Sequence, residues 1–131
     1  MSNPSIFTRI VNGEIPCNKI YEDDMTLAFL DMYPATEGHT LVIPKKEVEF
    51  VWDLDDENYI AVMQTVKKVA RHLRDVTGKN YVGVKIIGTD VPHAHVHVIP
   101  FDSSSEMYNP QRVEAAPDHE ALALTAEKLR F

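Results

Sequence analysis

The sequence has little of several features that would assign a chain to a special environment. It has one cysteine, Cys17, which excludes an internal disulfide and provides no cysteine pair at metal-ligand spacing. No apolar run approaches the roughly 20 residues that a membrane span needs, and the N-terminus lacks the apolar core of a signal peptide. These absences favour a cytoplasmic protein without a membrane partner.

Positive charge is also scarce. The chain has 13 Lys and Arg residues against 20 Asp and Glu residues, which gives a formal net charge of −7 at pH 7. Proteins that coat nucleic acid draw affinity from Lys and Arg side chains that neutralise phosphates. The charge balance therefore argues against a nucleic-acid partner, whereas a small anionic ligand in one local site remains compatible with it.

The remaining composition is that of an ordinary globular protein. Hydrophobic residues make up 44% and charged residues 25% of the 131 residues. A chain of this length fits one domain, which we expect to cover residues 1–131.

The pattern of apolar residues and breakers predicts an α+β domain. Ser5 begins a short helix that Gly13 ends, Asp55 caps a long helix that Gly78 ends, and a last helix begins near Asp118. Five segments rich in apolar and β-branched residues, separated by turn formers, predict antiparallel strands. These segments are 17–22, 26–32, 39–43, 81–87 and 93–101.

The most informative segment is PHAHVHVIPF, in which His93, His95 and His97 alternate with small and branched residues. Alternate side chains of a strand share a face, so the three imidazoles would lie about 6 to 7 Å apart. A single histidine in a strand is usually structural. Three together are electrostatically unfavourable unless a ligand, a metal or an anionic substrate balances them.

Two kinds of chemistry fit this arrangement. Zinc takes three or four ligands, of which two histidines on one strand could supply a pair and Asp31 or Asp90 a further one. Alternatively, a neutral imidazole attacks phosphorus while its neighbour donates a proton or a hydrogen bond. Alternation alone does not decide between a metal site and phosphoryl transfer.

A family resemblance favours the second interpretation. PHAHVHVIP resembles the catalytic strand of the histidine triad family, in which three histidines alternate with hydrophobic residues. AFLDMYPATEGHTLVIPKK resembles the nucleoside-binding hairpin of that family, and IFTRIVNGEIP resembles its N-terminal helix. The resemblance extends from Ile6 to Phe101, and it implies the histidine triad fold, a homodimer whose sheets join, and a purine nucleotide substrate.

The resemblance also implies a role for each matching position. His95 would be the nucleophile that takes the nucleotidyl group, and His97 would hydrogen-bond the phosphate or the leaving atom. His93 would orient the nucleophile, and His39 would be a fourth histidine packed behind it. Asp31 would accept both ribose hydroxyls. The residues that would enclose the base are Ile6, Phe7, Phe29, Met32 and Leu41.

The sequence departs from the family pattern at a metal site. Many relatives have a cysteine pair and a histidine that bind structural zinc, but those positions correspond to Ser5, Thr8 and Glu47 here. We therefore expect no metal and no other cofactor.

A second departure precedes the triad. Relatives have a loop that ends in a Gly-Gln pair and a small hydroxyl residue, which contact phosphate, whereas this chain has the shorter IIGTDVP. Gly88, Thr89 and Asp90 would take this place. An acidic Asp90 beside a phosphate is electrostatically awkward, so it would point away, act on the leaving group or favour a substrate with an amine.

Three functions follow from these observations. The first is a metal-independent nucleotidyl hydrolase or transferase that cleaves the α-phosphate linkage of a nucleoside phosphoramidate or a dinucleoside polyphosphate. The second is a non-catalytic nucleotide-binding regulatory protein, which the altered loop favours and the intact triad opposes. The third is a metalloprotein that uses the histidines as ligands.

Overall fold

The computed structural model describes residues 4–87, 89–111 and 115–131. Its helices are α1 (Ile6–Val11), α2 (Asp56–Thr77) and α3 (His119–Leu129). Its strands are β1 (Lys19–Glu22), β2 (Thr26–Leu30), β3 (Thr40–Pro44), β4 (Tyr81–Lys85) and β5 (Val96–Phe101). Two 3₁₀ turns, Val51–Asp53 and Ser104–Tyr108, complete the described elements. This is the α+β fold that the sequence predicts.

The helix ends lie where the capping residues predict them. The Ser5, Asp55 and Asp118 side chains each accept a hydrogen bond from a backbone N–H in the first turn of their helix. Gly78 ends α2 with a φ of 72°, a left-handed conformation that glycine adopts without steric cost.

The five strands form one antiparallel sheet in the order β1-β2-β3-β5-β4. One face of the sheet packs against α2 and α3, and residues such as Leu30, Val42 and Val98 share their core with Leu73 of α2. The opposite face has a smaller buried cluster that includes α1. Its buried residues are Phe7, Leu27, Phe29, Leu41 and Ile43.

The predicted start of the last strand was wrong. Residues 93–101 were expected to be extended, but β5 begins only at Val96. The backbone N–H of His93 donates to Val91 O at 2.8 Å, and that of Ala94 donates to Val48 O at 2.7 Å. Because their N–H groups are used in this way, His93 and Ala94 do not join the β3–β5 ladder. β3 pairs with β5 only at residues 96–98.

Within the described residues, no helix combines the length and apolar character that crossing a membrane requires.

Candidate active site

The face of the sheet next to α1 collects the polar residues that the sequence singles out. His97 of β5 is opposite Leu41 of β3, so both side chains point to this face. His39 precedes β3 by one residue and Asp31 follows β2 by one, and alternation along each strand puts them on the same side. The backbone N–H of Asp31 donates to His39 O at 2.9 Å, which joins the two strand ends.

All four of the predicted histidines are buried in this region. His39 and His93 are fully buried, and His95 and His97 are each 4% exposed. Burial lowers the pKa of His39 to about 3 and that of His97 to about 4, with a smaller contribution from neighbouring side chains. Both imidazoles are therefore neutral near pH 7. A neutral ring donates a hydrogen bond from one nitrogen and accepts one at the other, so the partners define an order of donors and acceptors.

That order follows from a single backbone amide. The N–H of Ala35 donates to His39 Nδ1 at 2.9 Å, so the neutral His39 carries its proton on Nε2. His39 Nε2 lies 2.9 Å from His97 Nδ1 and donates to it. His97 must then carry its own proton on Nε2, where it can serve as a donor. The sequence expectation placed His39 behind the nucleophile, and the structure places it against His97.

His95 is held in the complementary form. Its Nδ1 lies 2.7 Å from the carbonyl oxygen of His93, which can only accept, so Nδ1 carries the proton of the neutral ring. Its Nε2 then presents a lone pair. The ring centroids of His95 and His97 are 5.3 Å apart, so a free lone pair and a donor N–H occur on neighbouring rings.

Both ring nitrogens of His93 are hydrogen-bonded, and neither bonds to His95 or His97. Its Nε2 donates to Pro44 O at 2.9 Å, and its Nδ1 lies 2.9 Å from Ser5 Oγ and 3.2 Å from Thr8 Oγ1. The Thr8 hydroxyl donates to Glu47 at 2.9 Å. Burial is the main cause of the lowered pKa of His93. His93 thus supports His95 through its backbone carbonyl while its ring anchors α1.

The three positions where many relatives bind zinc therefore form a hydrogen-bonded cluster around His93. We call Ser5, Thr8, Glu47 and His93 the α1 anchor. A different group among the described residues brings possible metal ligands together, since one donor atom each of Asp31, His39 and His97 lies within 4.8 Å of the others. The two imidazole nitrogens in that group are already hydrogen-bonded to each other.

Asp31 lies beside the paired histidines and is 8% exposed. Its Oδ1 accepts from the N–H of Tyr33 at 2.8 Å, and its Oδ2 lies 3.6 Å from His39 Nε2 and 3.9 Å from His97 Nδ1. Burial raises the pKa of Asp31 and outweighs the hydrogen bonds that favour its ionised form. A buried carboxylate at this position can accept hydroxyl groups of a ligand.

The predicted apolar wall is present in part. Phe7, Phe29 and Leu41 are buried together, with the Phe7 ring 5.4 Å from that of Phe29 and 5.3 Å from that of His95. Ile6 and Met32 are not part of this buried cluster, and they are 44% and 42% exposed.

The loop before the triad is only partly defined. Gly88 lies outside the described residues, and Thr89 and Asp90 are exposed. The Asp90 carboxylate is close enough to oppose the lowering of the pKa of His97 and to contribute to the raised pKa of Asp31. Asp90 therefore lies within electrostatic range of His97 and Asp31.

Sequence reasoning missed Ala35 and Gln111. The amide of Ala35 sets the protonation of two histidines, but any residue except proline has such an N–H, so the sequence has no signal for it. Gln111 Nε2 donates to Asp31 Oδ2 at 2.8 Å from 80 positions away. It follows a polar stretch without periodicity, and only the folded chain brings it to the site.

Comparison with known proteins identifies the family of this chain. The HIT domain matches residues 12–104. The chain is 44% identical over 101 residues to "Protein hit" of Bacillus subtilis, covering 72% of this chain and 69% of that one. It is 39% identical to an adenosine 5'-monophosphoramidase of Schizosaccharomyces pombe, covering 72% of each. It is also 31% identical to an adenylylsulfatase of Arabidopsis thaliana, covering 76% of this chain and 53% of that one.

Solved structures show the same fold. A HIT-like protein from Bartonella henselae superposes with a TM-score of 0.85 at 32% identity, covering 99% of this chain and 97% of that one. The domain match covers most of the chain, including Asp31, His39, His93, His95 and His97. With its antiparallel sheet and buried histidines, the chain belongs to the histidine triad (HIT) family.

Proposed function

We propose that this protein is a nucleotidyl hydrolase or transferase that cleaves the α-phosphate linkage of a purine nucleotide. The observation that carries the proposal is the pairing of a free Nε2 on His95 with a donor Nε2–H on His97. Relatives named as an adenosine monophosphoramidase and an adenylylsulfatase support hydrolysis at an adenylyl group. Candidate substrates are nucleoside phosphoramidates and dinucleoside polyphosphates.

The reaction then proceeds in two displacements. The lone pair of His95 Nε2 attacks the α-phosphorus, and the bond from phosphorus to the leaving group breaks while His97 Nε2–H donates a hydrogen bond to the departing atom, which takes its proton from solvent. Water then attacks the resulting nucleotidyl-histidine and loses a proton to solvent, which breaks the phosphorus–nitrogen bond, releases the monophosphate and returns His95 to its neutral form. The carbonyl of His93 stabilises the ring of His95 while it carries positive charge.

The remaining residues bind the substrate. Asp31 accepts the ribose hydroxyls, and the buried wall of Phe7, Phe29 and Leu41 contacts the base, with Ile6 and Met32 at its exposed margin. Thr89 contacts the phosphate, and the same role for Gly88 remains a prediction from the sequence, because Gly88 lies outside the described residues. The acidic Asp90 favours an amine as the leaving group, because a cationic or hydrogen-bond-donating group is attracted to a carboxylate.

Replacement of His95 tests the mechanism. His95→Asn should leave nucleotide binding nearly intact and lower turnover by several orders of magnitude, since it removes an interaction made only in the transition state. Quenching the wild-type protein during turnover of adenylated compounds should trap an acid-labile adduct on His95, detectable by mass spectrometry. Near-normal turnover of the variant, or an adduct on His93 or His97, would contradict the assignment.

Two other functions have a specific observation in their favour. Asp90 places a negative charge within electrostatic range of His97, as expected for a nucleotide-binding regulatory protein with lost catalysis. Such a protein would bind nucleotide and release no monophosphate. The cluster of Asp31, His39 and His97 fits a metalloprotein. Exhaustive chelation separates the metalloprotein from the proposed nucleotidyl hydrolase. We expect activity to survive chelation, whereas a zinc enzyme would lose its activity and regain it only with added zinc.

We also propose that residues 1–131 act as one domain and assemble as a homodimer through β4. This strand ends the sheet, and its Tyr81 and Val84 are 58% and 43% exposed. At the other edge, the carbonyls of β1 accept bonds from the Arg130 side chain and the Phe131 amide. β4 is therefore the edge better suited to joining a second sheet.

A further inference from the structure

Gln111 lies outside the residues that match the HIT domain, yet its side chain contacts the proposed ribose site. Its Nε2 donates to Asp31 Oδ2 at 2.8 Å and to Tyr33 O at 3.0 Å. Two residues earlier, Asn109 Nδ2 donates to Ala35 O at 2.9 Å. The segment 109–111 thus bridges the turn after β2, which supplies both Asp31 and the amide that orients His39.

The chemistry of the partners defines how the Gln111 amide is oriented. A carboxylate and a backbone carbonyl are both acceptors, so the NH₂ end must face them. Both of its hydrogens are then used, one on Asp31 and one on Tyr33.

The Asp31 carboxylate has capacity for further donors in this arrangement. An ionised carboxylate accepts about four hydrogen bonds, two on each oxygen. The N–H of Tyr33 takes one on Oδ1, and Gln111 takes one on Oδ2. Counting the donors among residues 4–87, 89–111 and 115–131, about one position remains on each oxygen, which matches the two vicinal hydroxyls of a ribose.

We propose that Gln111 is a specificity-determining residue that makes the site select nucleotides with both ribose hydroxyls. This inference rests on the proposed function, because it assumes that Asp31 receives the sugar. Gln111 donates a hydrogen bond to Asp31 Oδ2, and the backbone N–H of Tyr33 donates one to Asp31 Oδ1. The plane of the carboxylate is therefore set before the ligand arrives, and little freedom of the side chain is lost on binding.

The test compares two ligands that differ only at the sugar. Calorimetry gives the affinities of adenosine monophosphate and its 2′,3′-dideoxy analogue for the wild-type protein, Gln111→Met and Asp31→Asn. Methionine retains the length of glutamine and removes its donors. Gln64→Met is the matched control, because Gln64 is exposed on α2 and far from these contacts in the sequence.

We expect the wild-type protein and Gln64→Met to prefer the ribose form strongly. Gln111→Met should lose on the order of tenfold in affinity for adenosine monophosphate, because the Asp31 side chain must then be ordered when the ligand binds. Its affinity for the dideoxy analogue should not change. A general disturbance of the fold would weaken both ligands equally, and that result would overturn the proposal.

The Asp31 variant separates the inference from the function on which it rests. If Asp31→Asn loses the sugar preference and Gln111→Met retains it, Gln111 has no part in selection and the ribose site remains. If Asp31→Asn retains the preference, or the wild-type protein binds neither ligand, the proposed nucleotide site is wrong and the role of Gln111 is wrong with it.

Discussion

At the scale of single residues, the site depends on where protons reside. Ala35 donates to His39, and His39 donates to His97, so a backbone amide decides which nitrogen of His97 can act as a donor. The carbonyl of His93 accepts from Nδ1 of His95, so in His95 the proton of the neutral ring is on Nδ1 and not on Nε2. Two chemically identical rings on one segment therefore differ in which nitrogen carries the proton, because their hydrogen-bond partners differ.

Asp31 is expected to favour ligand binding at a cost to stability. Asp31→Ala should weaken binding of a nucleoside monophosphate by about 1.5 to 3 kcal/mol, the usual range for hydrogen bonds to a charged partner. Because burial raises the pKa of Asp31, its ionisation opposes folding at neutral pH. Calorimetry should show weaker binding, and urea unfolding should show a smaller loss of stability at neutral pH than at acid pH, because the variant loses the acceptor of Tyr33 and Gln111 but also the unfavourable charge. Asp75→Ala, at an exposed position on α2, is the control, and unchanged affinity would remove Asp31 from the site.

The buried histidines make a definite prediction for acid stability. The folded-state pKa values of His39 and His97, about 3 and about 4, lie below the ordinary value of 6.5. Below pH 6.5 the unfolded chain binds more protons than the folded chain, so stability present above that pH is lost as pH falls towards 4.

Replacing one of these histidines tests the predicted direction of the change of stability with pH. His39→Gln should show a shallower fall of unfolding free energy between pH 6.5 and 4 than the wild-type protein, whatever its stability at pH 7. Replacement of the exposed His119 provides the comparison. Parallel curves for the wild-type protein and His39→Gln in urea titrations would show that folding does not lower the pKa of His39.

At the scale of elements, α1 is too short to be stable without its anchor. A helix of 6 residues gains little from its own hydrogen bonds, so tertiary contacts must hold it in place. Phe7 packs below the sheet, and the α1 anchor joins Ser5 and Thr8 to His93 and Glu47. The helix therefore supports the segment whose carbonyl orients His95.

Removing the Ser5 hydroxyl should affect both the helix and the site. Ser5 caps α1 and contacts His93, so Ser5→Ala should cost about 1 to 2 kcal/mol of unfolding free energy. Turnover should fall as well, because His93 loses a partner. Ser104→Ala, at an exposed position in a 3₁₀ turn, serves as the control in thermal unfolding and activity assays. Equal stability of the two variants would show that the anchor contributes little.

At the scale of the whole molecule, the two faces of the sheet have different tasks. The face covered by α2 and α3 contains most of the buried apolar side chains, and the opposite face combines a smaller apolar cluster with the histidines and Asp31. Burying polar groups is unfavourable unless they are hydrogen-bonded. The larger core therefore supplies the stability that allows the other face to hold a polar site.

The proposed dimer predicts a mass and a way to disrupt it. Light scattering should give twice the 14.9 kDa of one chain. Val84→Asp places a charge on the exposed part of β4 and should shift the population to monomer. A dimer would have to remove the new carboxylate from water and bring it close to its copy in the partner, and both are unfavourable. Val76→Asp changes an exposed residue at the end of α2 and should remain dimeric. A monomeric wild-type protein would rule out this assembly.

Local chemistry explains why much of the fold could be predicted from the sequence. Helix caps and strand alternation act between neighbouring residues, so the three helices, the five strands and the caps at Ser5, Asp55 and Asp118 were all predicted. The alternating histidines and the resemblance to a family also identified His39 and Asp31, whose roles stay predictions. The start of β5 was missed because the competing partner, Val48, is remote in sequence.

The sequence by itself determined the element types, the alternation of the histidines and the family to which they belong. Only the tertiary structure decided that His39 bonds to His97, that His93 is engaged by Ser5, and that Gln111 reaches Asp31. These contacts join residues 58, 88 and 80 positions apart. Such pairs have no local signature, since any polar side chain could meet another, and the packing of the sheet selects which of them do.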